Sequence, residues 1–248
     1  MSETVKWTVL LVAAYLGGSI PFALIIGRWR GIDIRLHGSG NVGASNVGRT
    51  LGRKYGMLCF ALDVCKGLIP TVLAGLWCGL FAPDLRDVER DITTMQMLLW
   101  IGVAFAAIIG HTNSIFLGFK GGKGVATGFG GLLGIYPHLT WPILGAMIVW
   151  LAAIKLWRMI SVASMLAAVS LPLWYLLSIV PSGSQAREAA GFAARLEARW
   201  PFLLVASLLA LLVLWKHRSN IRRILAGNEP HVGEPRPGEA SQGAASKS

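Results

Sequence analysis

The sequence predicts an all-α integral membrane protein, a bundle of about seven transmembrane helices. Three observations predict this fold. Hydrophobic residues make up 54% of the 248 positions and charged residues only 14%, whereas a soluble domain carries about 25% charged residues. Apolar runs of about 20 residues, the length that crosses a bilayer, recur along the chain. Lys and Arg collect between alternate runs, which is typical of loops that face the cytoplasm.

Five apolar runs are clear enough to be assigned as membrane-spanning helices: residues 7–27, 55–81, 93–110, 161–180 and 200–215. A further stretch, residues 124–154, is interrupted by "YPHLTWP" and is too long for one crossing but slightly short for two. Two crossings put sixteen of the 23 Lys and Arg residues on one face and six on the other. A single crossing would instead move Lys155 and Arg158 outside. We therefore expect seven helices, with the N-terminus outside and the C-terminus in the cytoplasm.

The chain is expected to form one membrane-embedded domain, residues 1–229, followed by a tail. Residues 230–248 are rich in Pro, Gly, Ala and Ser, and their small apolar surface does not offset the entropy of ordering, so a disordered cytoplasmic tail is predicted. Cys59, Cys65 and Cys78 all lie in the second apolar run, which indicates packing rather than a disulfide framework. The net charge of +11 concentrates at one membrane face, which favours anionic head groups and phosphorylated ligands over nucleic acid.

A glycine-rich loop, "HGSGNVGASNVGRT", follows the first apolar run. Its Gly38, Gly40 and Gly43 match the dinucleotide fingerprint G-x-G-x-x-G, but the chain lacks the repeated strand–helix–strand units of that fold. Glycine allows positive φ and close backbone approach, so successive amide groups can converge on an anion. Arg49 can add a two-pronged contact to phosphate oxygens. The loop therefore indicates a phosphate site, and the alternative is a flexible connection between helices.

A second glycine-rich segment, "GHTNSIFLGFKGGKGVATGFGG", lies on the same predicted face. Gly121, Gly122 and Gly124 surround Lys123 and lead into a helix start, which favours anions. The segment is not a P-loop, because Gly124 stands where that motif requires Ser or Thr and Leu117 fills the position of its first Gly. It is interpreted as a second phosphate-binding loop.

Two further segments place polar residues near or inside apolar helices. In "DVCKG", Asp63 and Lys66 lie one turn apart within a span, where charges are costly and usually face a polar interior. A structural ion pair is the alternative explanation. In "KHRSNIRRILAGNE", His217, Asn220 and Arg223 repeat at helical spacing just past the last span. A basic membrane flank explains the charge of this segment equally well, but not its Asn.

At these residues the chain resembles a known family, the bacterial acyl-phosphate:glycerol-3-phosphate acyltransferases (PlsY). The family element G-S-G-N-x-G-A-T-N-x-x-R matches residues 38–49, with Ser45 in place of Thr. A K-G element matches Lys66 and Gly67, and the element G-H-x-x-x-x-F-x-x-F-K-G-G-K-G-V-A-T matches residues 110–127. The signature R-H-x-x-N-I resembles residues 216–221, with Lys216 in place of Arg, which weakens a bidentate role there. The resemblance extends over about residues 7–229.

The resemblance implies transfer of a fatty acyl group from acyl phosphate to the 1-hydroxyl of glycerol 3-phosphate in the bacterial cytoplasmic (inner) membrane. Acyl phosphate, glycerol 3-phosphate and membrane lipids are the expected partners. The first loop would hold phosphate, while Lys123, with Lys120, would neutralise a second phosphate or the leaving group. The catalytic candidates are Ser39, Arg49, His111, Lys123 and His217. The substrate-binding candidates are Gly38, Gly40, Asn41, Gly43, Asn46, Lys66, Lys120, Gly121, Gly122, Gly124 and Asn220.

The identity of the general base stays open between His111, His217 and a substrate phosphate. None of the five His residues has Asp five positions later, which argues against an acyl-CoA enzyme of the His-x-x-x-x-Asp kind. Neither a metal nor a cofactor is expected, because metal-ligand spacing is absent from the sequence and phosphate already leaves readily. Two rival functions are a transporter for a phosphorylated metabolite, which the intramembrane charges would suit, and a noncatalytic lipid-binding scaffold.

Overall fold

The computed structural model describes residues 1–81, 92–180 and 192–232, and within these ranges every regular element is a helix. Six helical segments are long and apolar enough to cross a membrane: Glu3–Trp29, Arg53–Trp77, Thr94–Thr112, Thr140–Trp157, Ile160–Ser178 and Phe192–Lys216. The predicted all-α membrane fold is therefore confirmed. The helices are α1 (Glu3–Ser19), α2 (Phe22–Trp29), α3 (Ala44–Leu51), α4 (Arg53–Trp77), α5 (Thr94–Thr112), α6 (Val125–Leu133), α7 (Thr140–Trp157), α8 (Ile160–Ser178), α9 (Phe192–Lys216) and α10 (Arg218–Leu225).

The first span consists of two helices, α1 and α2, because Pro21 lacks the N–H that would continue the helical hydrogen bonds. The carbonyl groups at the break find other donors. Ser19 O accepts a hydrogen bond from Ser114 Oγ at 2.6 Å, and Ile20 O accepts one from Lys66 Nζ at 3.0 Å. The break is thus tied to α4 and to the loop that follows α5.

The stretch at residues 124–154 forms two helices of unequal length. α6 has nine residues, so at about 1.5 Å per residue it is much shorter than the roughly 30 Å hydrocarbon core. α7 has 18 residues and meets the length needed for a crossing. The turn between them contains Tyr136 and Pro137 of the interrupting sequence. The sequence therefore predicted the break correctly, while the shorter half falls below the length of a full span.

α6 packs closely against α4 because both helices present glycine at the contact. Gly67 of α4 lies against the carbonyl group of Thr127, and Gly130 of α6 lies against the carbonyl group of Val64. A Cβ at either glycine would overlap the backbone of the neighbouring helix. This small-residue packing, common between membrane helices, fixes where the loop at residues 121–124 enters α6.

The buried core lies where α1 and α4 to α9 meet. Trp100 of α5 is fully buried, its indole N–H donates to Thr71 O at 2.9 Å, and the rings of Phe81 and His138 pack edge-on against it. The outward side chains of the spans are largely apolar, including Leu73, Ile148, Leu173 and Leu211. An apolar outer surface of this kind suits contact with lipid tails.

The C-terminal part of the described chain folds back onto the bundle. α9 is kinked at Arg199, just before Pro201, and α10 follows it directly. Beyond α10, Val232 N donates to Arg158 O at 2.6 Å and Arg158 Nη2 donates to Val232 O at 3.2 Å. Val232 belongs to the predicted tail; residues 233–248 lie outside the described residues, as do Arg86, Arg90 and Arg187 of the predicted outer loops.

Candidate active site

A buried asparagine holds the first glycine-rich loop in shape. Asn46 of α3 accepts a hydrogen bond from Ser39 N at 2.7 Å and donates through Nδ2 to the carbonyl groups of Ile34 and His37, each at 3.0 Å. Its amide group is therefore used within the loop. Contact of Asn46 with substrate stays a prediction.

Two glycines of this loop are required by its backbone conformation. Gly38 has φ +58° and Gly40 has φ +66°, in the left-handed region that disfavours side chains. A Cβ at Gly38 would also overlap Asn46 Oδ1. The apolar alternation before the loop ends in a 3-10 turn, Ile34–Leu36, rather than a strand. The dinucleotide fingerprint thus lacks the strand that it needs, and the glycines serve a tight loop instead.

The remaining polar residues of this loop lie around its path. Asn41 N donates to Ser39 Oγ at 3.4 Å, and Gly43 is the N-cap residue of α3. Arg49 lies three residues after Asn46 on α3, on the same side of the helix, and is half-buried. Within the described ranges its guanidinium has no hydrogen-bond or ion-pair partner, so its five donors remain available to a ligand.

The second glycine-rich loop packs against the end of α5. Gly122 N donates to His111 O at 3.1 Å, and a Cβ at Gly122 would overlap both His111 Nε2 and the carbonyl oxygen of Val42. Gly121 abuts the carbonyl group of His111 in the same way, and Gly124 caps α6 with φ +78°. Because Val42 belongs to the first loop, the structure brings the two predicted loops together at Gly122.

Lys123 is joined to the C-terminal segment through an asparagine and a glutamate. Its Nζ donates to Asn220 Oδ1 at 2.6 Å, and Asn220 Nδ2 donates to Glu229 Oε1 at 2.7 Å. Glu229 also accepts hydrogen bonds from Ser161 Oγ at 2.6 Å and Arg223 Nε at 2.8 Å. Burial opposes ionisation, but these hydrogen bonds hold the pKa of Glu229 below its usual value. The resulting carboxylate orients the asparagine that Lys123 contacts.

His217 lies between α9 and α10, close to Lys123. Its Nδ1 is 2.8 Å from Val213 O, which assigns the ring proton to Nδ1 and leaves a lone pair on Nε2. Burial and the positive charge of Lys123 lower the pKa of His217 to about 4. The imidazole is therefore neutral near pH 7 and can accept a proton.

The intramembrane residues Asp63 and Lys66 form a buried ion pair. Lys66 Nζ lies 2.9 Å from Asp63 Oδ1, and His111 Nδ1 lies 3.6 Å from the same oxygen. The structural pair expected as the alternative is thus present, and a contact of Lys66 with substrate stays a prediction. Lys120 is exposed instead, and its ammonium has no partner in the described parts of the chain.

An apolar pocket of about 730 Å³, its open mouth included, extends from the second loop into the bundle. Lys123 and Gly124 lie at one end, and side chains of α5 to α9, together with Phe60 of α4, line the rest. Its polar lining residues are few, with Ser164 beside Trp150 being one of them. The arrangement places an ammonium group at the end of an apolar space.

Sequence reasoning missed two features of this region. Asp63 and His111 are far apart in sequence, and no spacing rule connects them. Glu229 was expected only to end the domain, and Ser161 only to belong to a span. One signal was present: Glu229 is the first acidic residue after Glu197 and follows a strongly basic helix.

Comparison with protein families finds one match over most of the chain. The family described as glycerol-3-phosphate acyltransferase matches residues 8–227. A glycerol-3-phosphate acyltransferase of Desulforamulus reducens is 38% identical over 228 residues, which cover 91% of this chain and 95% of the relative. One from Trichlorobacter lovleyi is 40% identical over 219 residues, which cover 88% and 94%.

Solved structures give the same relationship. A crystal structure of PlsY, an integral membrane glycerol 3-phosphate acyltransferase, in the glycerol 3-phosphate form, has a TM-score of 0.70 and 34% identity to this chain, covering 92% of this chain and 96% of the other. The lysophosphatidic acid form has a TM-score of 0.68 and 33% identity, covering 91% and 95%. The resemblance identified from the loops extends to the whole membrane bundle.

Proposed function

Because the chain belongs to the glycerol-3-phosphate acyltransferase family, we propose that it transfers a fatty acyl group from acyl phosphate to the 1-hydroxyl of glycerol 3-phosphate. The hydroxyl oxygen forms an ester bond with the acyl carbon, and the bond from that carbon to the phosphate oxygen breaks. The products are 1-acyl-glycerol 3-phosphate and inorganic phosphate, and the hydroxyl proton passes to a base or to the departing phosphate.

One observation carries this proposal: Lys123 lies where a glycine-rich loop meets a large, partly open apolar pocket. Acyl phosphate has an anionic head and a long apolar tail, so a site for it needs a cation and backbone donors next to an apolar space. The first loop, which meets the second at Gly122, offers Arg49 to another phosphate. The two loops together suit a reaction whose substrates both carry phosphate.

We assign roles to the candidates on this basis. Arg49, with Ser39 and Asn41 of the first loop, holds the phosphate of glycerol 3-phosphate. Lys123 stabilises the charge that develops on the leaving phosphate, and Asn220 orients its ammonium group. Lys120, exposed nearby on the second loop, adds positive charge.

Among the protein groups, we favour His217 over His111 as the proton acceptor. His217 is neutral, has a lone pair on Nε2 and lies near Lys123. His111 is enclosed between Asp63 and the backbone of Gly122, which restricts access of a hydroxyl group to its ring. A phosphate oxygen of the substrate is the alternative acceptor.

We also propose seven crossings in the inner membrane, with the C-terminus in the cytoplasm. α6 alone is too short to span, but Gly67 lies against Thr127 and Thr71 lies near Gly134, so α6 runs in the direction of α4. α7 then returns alongside α8. If α6 and the turn after it count as one crossing, the chain crosses seven times and its N- and C-termini lie on opposite faces of the membrane. This agrees with the excess of Lys and Arg on one face.

The test is an assay of purified protein with labelled glycerol 3-phosphate and three donors in parallel: acyl phosphate, acyl-CoA and acyl-carrier protein. We expect labelled lysophosphatidic acid with acyl phosphate and none with the other two. Transfer from acyl-CoA alone would refute the donor assignment. Counterflow of labelled glycerol 3-phosphate in proteoliposomes without any acyl donor would support the transporter instead, and no turnover with any donor would support the scaffold.

A further inference from the structure

A cluster of four buried polar side chains lies inside the bundle, behind the two glycine-rich loops. Asp63 Oδ1 is 2.9 Å from Lys66 Nζ and 3.6 Å from His111 Nδ1, while Cys59 Sγ donates to Asp63 Oδ2 at 3.7 Å. All four side chains are at least nine-tenths buried. The roles assigned above use none of these contacts, although charges within a membrane span are costly and usually functional.

The cluster reaches the candidate active site through one imidazole ring. Nδ1 of His111 faces Asp63 Oδ1 at 3.6 Å, which directs Nε2 to the opposite side of the ring. On that side lies Gly122, so close that a Cβ at Gly122 would overlap Nε2. Gly122 N donates a hydrogen bond to His111 O, and the carbonyl group of Val42 also lies beside Gly122. The orientation of the ring therefore limits where Gly122 can lie between the loops.

Lys66 fixes the other side of the cluster. Its ammonium group donates to Ile20 O at 3.0 Å, at the break between α1 and α2, and lies 5.6 Å from the centre of the Phe22 ring. A small cavity beside it, about large enough for one water molecule, is lined by Asp63, Lys66 and His111. Asp63 is thus held from one side by Lys66 and holds His111 on the other.

We propose that Asp63 is a positioning residue of the acyltransferase: through His111 it sets the place of Gly122, and so the spacing between the two phosphate-binding loops. This inference rests on the proposed function. An ion pair that served folding alone would not need His111. If Asp63 positions Gly122 through His111, the two residues must act as one unit.

A double-mutant cycle with Asp63→Asn, His111→Ala and the double variant tests this, using kcat and KM for glycerol 3-phosphate at fixed acyl phosphate. Residues that act as a unit are not additive. We expect each single change to lower kcat/KM about tenfold or more, and the double change to lower it at most about twofold further. Cys65→Ala, on the same helix outside the cluster, is the control and should match the parent chain. If the fold-losses in kcat/KM of the two single variants multiply in the double variant, the proposal is overturned.

Hydrogen exchange of the loop at residues 121–124 gives a readout that does not depend on turnover. Asp63→Asn should speed exchange in this loop while leaving the middle of α5 unchanged, and Cys65→Ala should have no effect. If Asp63→Asn fails to fold, the neutral pair Asp63→Asn with Lys66→Met replaces it. Unchanged loop exchange in a folded variant would overturn the proposal. A parent chain without acyl transfer would refute the proposed function, while the exchange data would still decide whether Asp63 positions the loop.

Discussion

Arg49 and Arg53 are four residues apart but differ in their position relative to the first glycine-rich loop. Arg49 lies on α3 beside the loop and has an available guanidinium, whereas Arg53 is exposed at the start of α4. If Arg49 grips phosphate oxygens with its planar fork, Lys cannot replace both hydrogen bonds, so Arg49→Lys should be nearly as damaging as Arg49→Ala. Charge-assisted bonds of about 1.5 to 3 kcal/mol correspond to a loss of about 10-fold to 150-fold in kcat/KM.

The matched control is Arg53→Ala, which should stay within about threefold of the parent because exposed charges contribute little. Steady-state kinetics with varied glycerol 3-phosphate measure all three variants. If Arg49→Ala and Arg53→Ala have the same kcat/KM, or if Arg49→Lys is fully active, the first loop is only a basic membrane flank and does not bind phosphate through Arg49.

His217 is expected to make the protein less stable in mild acid. Its pKa is about 4 in the fold, against an ordinary value of 6.5, so the unfolded chain binds more protons between these values. Stability therefore falls as the pH drops from about 6.5 towards 4, and is independent of His217 above that window. His217→Gln should flatten this part of the curve, as measured by thermal unfolding at a series of pH values. The same slope in parent and variant would show that the ring is not held neutral.

At the scale of helices, the apolar runs predicted the spans well because length and hydropathy alone decide what crosses a bilayer. The break at Pro21 was not predicted, since the run on either side is uniformly apolar. The sequence did not predict that the Asn46 amide holds the first loop in shape, because that role depends on how residues 34–39 fold around it. Contact of Asn46 with substrate stays a prediction. Contacts between distant segments, such as Asp63 with His111, follow from helix packing and leave no mark in local sequence.

The contact between α4 and α6 should be the least tolerant to added volume. Gly130→Ala would push a Cβ into the backbone of Val64, and because backbone cannot move aside, a loss of about 1 to 3 kcal/mol is expected. Gly17 is the control: it also lies within a helix, but a Cβ there would meet no atom within 4 Å, so Gly17→Ala should be neutral or slightly stabilising. Unfolding monitored by tryptophan fluorescence compares the stability of the two variants. Equal stability of Gly130→Ala and Gly17→Ala would contradict the close packing of α4 and α6.

The cysteines of the second span bear on whether the reaction passes through an acyl-enzyme. Acyl phosphate is already activated, so direct transfer needs no nucleophile from the chain. Changing Cys65 and Cys78 to Ala should preserve turnover, and Cys59→Ala should reduce it modestly, because Cys59 Sγ donates to Asp63. Mass spectrometry of quenched reactions should show no acylated protein. A stoichiometric thioester or ester on the chain would overturn direct transfer.

At the scale of the whole molecule, the C-terminal segment joins distant parts of the bundle. Glu229 receives hydrogen bonds from α8 and α10, and through Asn220 it is linked to Lys123 of the second loop. Three residues later, Val232 pairs with Arg158 at the connection between α7 and α8. We therefore propose that the packed domain extends at least to Val232, three residues beyond the Glu229 that composition predicts as its end.

A chain that ends at Val232 should keep activity within about threefold of the full chain, because residues 233–248 are too polar to contribute a packed core. The same shortened chain with Glu229→Ala should lose about tenfold or more in kcat/KM, since Arg223 and Asn220 lose their acceptor and the carboxylate no longer holds the partner of Lys123. Glu229→Gln keeps the shape and one acceptor oxygen, so it should fall between the two. Steady-state assays with acyl phosphate measure all three. A large loss on removing residues 233–248, or full activity of Glu229→Ala, would show that the second loop is oriented by something other than this segment.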